Sequence, residues 1–208
     1  MGQVRRRVGG MPCSSFFIID VESVGLHGEG FAVAGGVYLP NGAVQWEFRM
    51  ACPIDECAGD DDDRKWVKEN IPAIEETHRS PKAMRDEFWR QWMKAKTGGA
   101  VMAAECLWPV ESGFLKACIT DDPARKWDGP YPLHEIASYL AAAGFDPMAK
   151  YPRNPSEMPM HDPLADARQS ARLLSEAIAT LEQIHERTPV DFQLCQKKAI
   201  LAADGDKS

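Results

Sequence analysis

The chain has 208 residues, 24 Lys+Arg against 31 Asp+Glu, a formal net charge of −7 and 44% hydrophobic residues. That length fits one domain with a core that needs no disulfide or metal staple, and 26% charged with 9% aromatic residues excludes a wholly disordered chain. The acidic balance argues against a protein that coats nucleic acid by neutralising its phosphates. The longest stretch without a charge, residues 30–46, is broken at Pro40-Asn41-Gly42, so no membrane span is expected.

Residues 1–12 read as a flexible basic arm, residues 13–190 as one domain and residues 191–208 as a tail. The arm has no apolar run behind it, so it is not a secretory signal, and a cytoplasmic location is the default expectation. Residues 14–21 form a nearly continuous apolar run that suits a strand buried on both faces. Residues 31–39 and 43–50 flank the Pro-Asn-Gly turn and read as a hairpin. The run of aspartates at 60–63 lacks the ligand alternation of a calcium loop and reads as a solvated turn.

Helices are expected over 64–70 and 80–96, the second capped by Ser80 with Pro81 as its first residue and ended by Gly98-Gly99. Residues 100–104 suit a short strand, and 109–119 and 132–143 suit helices. After a Pro-rich loop over 146–159, Leu164, Ala167, Ala171, Leu174, Ile178, Leu181 and Ile184 recur every three or four residues, the stripe of a long amphipathic helix. The order of elements indicates a mixed α/β domain. Cys13, Cys52, Cys57, Cys106, Cys118 and Cys195 contain no C-x-x-C, so reduced thiols are expected rather than zinc or a disulfide framework.

Asp20 and Glu22 stand at the end of the first strand. Residues i and i+2 of a strand share a face, so two carboxylates project together where the oily run stops. Such a pair suits an oxygen-loving divalent cation when buried, and plain solvation when exposed; the pair alone leaves both open. Far downstream, Asp162 followed by Pro163 is a helix N-cap with proline at the first helical position. Asp166 then falls near the positive end of the helix, with His161 just outside it. A metal-holding carboxylate beside a general base fits this pattern, and so does an ordinary capped helix with an exposed histidine.

Read together, the two motifs resemble those of the DEDDh 3′-to-5′ exonucleases, ribonuclease H-like nucleases that include ribonuclease T, oligoribonuclease and the proofreading subunit of bacterial replicative polymerase. Asp20-Val21-Glu22-Ser23-Val24-Gly25-Leu26 resembles the family's Asp-x-Glu-Thr-Thr-Gly-Leu, and residues 161–174 (HDPLADARQSARLL) resemble its third motif. The middle motif departs: Glu111 takes the aspartate place in Cys106-Leu107-Trp108-Pro109-Val110-Glu111-Ser112-Gly113-Phe114-Leu115, with Glu105 as the fallback.

The resemblance implies a ribonuclease H-like mixed sheet, its first three strands antiparallel and later ones parallel, flanked by helices. It implies two divalent cations, Mg²⁺ or Mn²⁺, with Asp20, Glu22 and Asp166 at one and Asp20 with Glu111 at the other, and His161 as general base. The substrate would be a single-stranded RNA or DNA 3′ end, RNA slightly favoured, cut to nucleoside 5′-monophosphates. Leu26 matches the wedge beside the terminal base, and the backbone of Ser23 and Val24 would face the 3′-hydroxyl. Trp108 suits either a stacking surface or the core. Arg125, Lys126, Arg168 and Arg172 could meet phosphates or simply be solvated. A homodimer is a possible assembly, without an interface legible in the sequence. The competing reading is an inactive nucleic-acid- or partner-binding module on the same fold.

Overall fold

The computed structural model describes residues 15–187. The expected arm and tail, with Cys13 and Cys195, lie outside the described residues. The first strand, β1 (Phe16–Ser23), pairs antiparallel with β2 (Gly30–Tyr38), which pairs antiparallel with β3 (Val44–Ala51). On its other edge β1 pairs parallel with β4 (Val101–Ala104), and β4 pairs parallel with β5 (His134–Glu135). The sheet order is therefore β3-β2-β1-β4-β5, with β1 at its centre.

The two-residue period of β1 divides the core. Phe17, Ile19 and Val21 join one buried cluster with Met84, Phe88, Trp92 and Ala95 of α2 (Pro81–Thr97) and Phe114 and Leu115 of α3 (Ser112–Asp121). Phe16 and Ile18 face the opposite side, with Ile136 and Leu140 of α4 (Ile136–Ala142) and Ala171, Leu174 and Ile178 of α5 (Pro163–Arg187). Burying each large apolar side chain contributes about 1.5–3 kcal/mol. The ring of Phe17 stacks on Phe48 at 5.5 Å and meets Trp46, Phe88 and Trp92, which fixes the strand against the helix layer.

Three expectations need correction. The aspartates at 60–63 do not form a separate turn before the helix: Asp60 accepts a hydrogen bond from the Asp62 amide at 2.8 Å and caps α1 (Asp61–Asn70), and Asp61, Asp62 and Asp63 fill its first turn. Their charge complements the positive helix end while staying in water. The helix expected over 132–143 is β5 followed by α4, because His134 and Glu135 are drawn into the sheet opposite Ala103 and Ala104. The helix expected over 109–119 is preceded by a wide π-type turn, Leu107–Glu111, and α3 itself starts at Ser112. Among the described residues the cysteines are free thiols, and the C-x4-C pair Cys52 and Cys57 meets in the core with sulfurs 3.7 Å apart.

Candidate active site

Asp20 and Glu22 continue the even-numbered row of β1, so their carboxylates emerge on the side covered by α5. Directly after the strand, Gly25 turns the chain with a φ of +68°, and a Cβ there would strike the Asp63 carboxylate. Ser23 secures the same turn by donating its hydroxyl to the Gly25 carbonyl at 2.7 Å. Opposite, Asp162 accepts from the amides of Leu164 and Ala165, both at 3.1 Å, and so starts α5 as the sequence predicts. Asp162 also pairs with Arg49, anchoring the helix start to β3.

Asp166, one turn into α5, is held from two sides. The His161 amide donates to its Oδ2 at 3.1 Å, and Arg153 from the Pro-rich loop donates to its Oδ1. The first of these bonds fixes His161 in the left-handed region at a φ of 61°, which carries its exposed ring towards the carboxylates. Ligand-capable atoms of Glu22, His161 and Asp166 lie within 4.8 Å of one another. Glu111 approaches from a third element, near enough for its charge to act on Asp20 and Glu22. It closes the π-type turn after β4, is almost fully buried, and accepts the amide of Val21, the residue between Asp20 and Glu22.

The electrostatics of this cluster are unfavourable without a cation. Burial pushes the Asp20 carboxyl well above its ordinary range, and the charges of Asp166, Glu22, Glu111 and Glu105 push it further. Glu22 is pushed up to about 8 by burial and then by Asp166 and Glu111. Glu111 is pushed up to about 7 by burial, against the pull of two backbone amides, with the Glu105 charge adding to the rise. Among the described residues no lysine or arginine pairs with Asp20, Glu22 or Glu111; Arg153 neutralises Asp166 only. Crowded carboxylates with a neighbouring imidazole fit hard divalent cations such as Mg²⁺ or Mn²⁺.

The remaining expected residues divide. Leu26 and Trp108 are 67% and 74% exposed, so Trp108 is not a core residue and its ring is available for stacking. Ser23 is half-buried, whereas Val24 is fully buried with its amide already donated to the Glu29 carbonyl. Glu105 also neighbours the cluster, its charge acting on Asp20 and Glu111, and the Ser170 hydroxyl donates to it at 3.2 Å. Three of the arginines are engaged elsewhere: Arg125 with Asp86, Arg168 with Glu47, and Arg172 with Glu157 and Glu176. Sequence reasoning missed Arg153 and Arg49, because a lone arginine in a loop or on an edge strand carries no motif.

No family model matches the chain, and no curated protein matches it. Among solved structures, a moderately thermophilic Exonuclease I from Methylocaldum szegediense is similar, with 16% identity and a TM-score of 0.50 over 86% of this chain. The fold is ribonuclease H-like. The chain spans 42% of the length of that neighbour, and at this identity the likeness is one of fold. The mixed sheet order, antiparallel through β3-β2-β1 and parallel through β1-β4-β5, agrees with the arrangement the motifs imply.

Proposed function

We propose that this chain is a metal-dependent 3′-to-5′ exonuclease acting on single-stranded ends, with RNA slightly favoured over DNA. The observation that carries the reading is the convergence of Asp20, Glu22, Glu111 and Asp166, drawn from β1, the turn before α3 and α5, beside the ring of His161. A binding module has no use for so costly a cluster of buried charge. Asp20, Glu22 and Asp166 would hold one divalent cation, and Asp20 with Glu111 the other. The chemistry such ions supply when bound is charge neutralisation at the scissile phosphate and acidification of the attacking water.

The chain's own residues do the rest. His161 accepts the proton of the attacking water, and its exposed position lets that proton pass on to solvent. Arg153 and the His161 amide hold Asp166 in one orientation, and Val21 does the same for Glu111. Leu26 and Trp108, both exposed, flank the terminal nucleotide as a wedge and a stacking face. The products would be nucleoside 5′-monophosphates. Mass analysis of digests of a single-stranded RNA and a DNA of the same sequence tests this: nucleoside 5′-monophosphates as the main product support it, and 3′-monophosphates or internal fragments overturn it.

A further inference from the structure

A groove of about 630 Å³ runs beside α3, and its lining starts at Ser112, the residue after Glu111. From there it passes Leu115 and Lys116 and reaches Lys126, Trp127 and Tyr131 on the loop that leads to β5. Two features set it apart from the rest of the surface. Trp127 is 84% and Tyr131 99% exposed, although burial of such rings ordinarily stabilises a fold. In a chain of net charge −7, the groove is lined by lysines and by no acidic side chain. Among the described residues neither Lys116 nor Lys126 has an acidic partner, and the Lys126 ammonium lies 5.1 Å from the centre of the Trp127 ring.

We propose that this groove carries the single-stranded nucleic acid upstream of the 3′ end, with Trp127 and Tyr131 stacking on bases and Lys116 and Lys126 meeting phosphates. Exposed aromatic faces interleaved with cations are what a flexible, stacked polyanion requires, and stacking tolerates any base. Ser112, which lines the groove, follows Glu111 in the chain, and on the nuclease reading this sets the direction of the strand: the terminal nucleotide at the carboxylates and the preceding ones along α3. The proposal rests on the nuclease reading for its polarity, and on the groove alone for its binding chemistry.

The test uses the full chain and two double variants, Trp127→Ala with Tyr131→Ala and Lys116→Glu with Lys126→Glu. Anisotropy of a labelled single-stranded 12-mer in EDTA reads binding without cleavage. Cleavage in Mn²⁺ then compares the 12-mer with a dinucleotide. Each variant is expected to weaken 12-mer binding by about tenfold or more, the lysine variant also losing salt dependence. The advantage of the 12-mer over the dinucleotide, as a ratio of kcat/KM, should fall by a similar factor. Unchanged binding and an unchanged ratio would overturn the groove while leaving the nuclease. Groove-dependent binding by a protein that cleaves nothing would retire the nuclease reading and keep the groove. Variants that bind like the parent but sediment as a smaller species would assign the patch to a second copy of the chain instead.

Discussion

His161 is exposed, strained in the left-handed region and tied to Asp166 through its backbone amide rather than its ring. His161→Asn keeps a residue that tolerates that backbone while removing the imidazole. The variant is expected to lose about 10²- to 10⁴-fold in kcat with little change in melting temperature, measured by single-turnover cleavage and thermal denaturation. Arg153→Met should leave Asp166 restrained from one side only, and should lower kcat more than it raises KM for the oligonucleotide.

Glu22 contributes to the pH dependence of the metal-free protein. Its carboxyl ionises in the unfolded chain near 4.5 but only near 8 in the folded one, and Glu111 moves the same way to about 7. Between those limits the folded chain binds more protons than the unfolded chain. The stability these groups allow is thus fully present below pH 4.5 and is lost as pH rises through 7 to 8. Glu22→Gln should therefore raise the melting temperature of the EDTA-treated protein most at pH 8, by about 2–4 °C for each kcal/mol relieved, and flatten its fall between pH 5.5 and 8.5. A parallel curve for parent and variant would show that the crowding at Glu22 is not felt by the fold.

The start of α5 is the element on which the site depends most. Asp162 caps it, pairs with Arg49 and thereby sets both the helical phase of Asp166 and the exit of His161. Asp162→Ala should cost about 0.5–2 kcal/mol for the cap and depress activity as well, through the buried cap that positions Asp166 and His161. Differential scanning calorimetry with a parallel cleavage assay reads both effects.

This end of the chain was legible because a cap, a proline and a seven-member apolar stripe act locally. The apolar run of β1 was equally plain, since covering both faces leaves no polar alternation. What stayed hidden depends on distant partners. β5 is only His134–Glu135, and it is a strand because β4 lies beside it. The π-type turn that delivers Glu111, and the reach of Arg153 from a Pro-rich loop to Asp166, are likewise set by packing rather than by any local pattern.

At the scale of the molecule, the proposed function asks an acidic chain to handle a polyanion. Most arginines near the expected phosphate positions are spent on internal ion pairs, whereas Lys116 and Lys126, which line the groove beside α3, have no acidic partner among the described residues. The carboxylates collect where β1, the turn before α3 and α5 meet. Bound divalent cations would join the two parts of this arrangement, because they would make the carboxylate cluster attractive to a phosphate. Among the described residues no helix is long and apolar enough to cross a membrane.

The most direct measurement is a gel time course with 5′-labelled single-stranded RNA and DNA oligomers in Mn²⁺, Mg²⁺ or EDTA, with Asp166→Asn beside the parent. The account predicts a ladder that shortens from the 3′ end, is abolished by EDTA and is lost in the variant. Intact oligomers in every lane, from a parent shown to be folded, would contradict it and leave a binding module on the same fold.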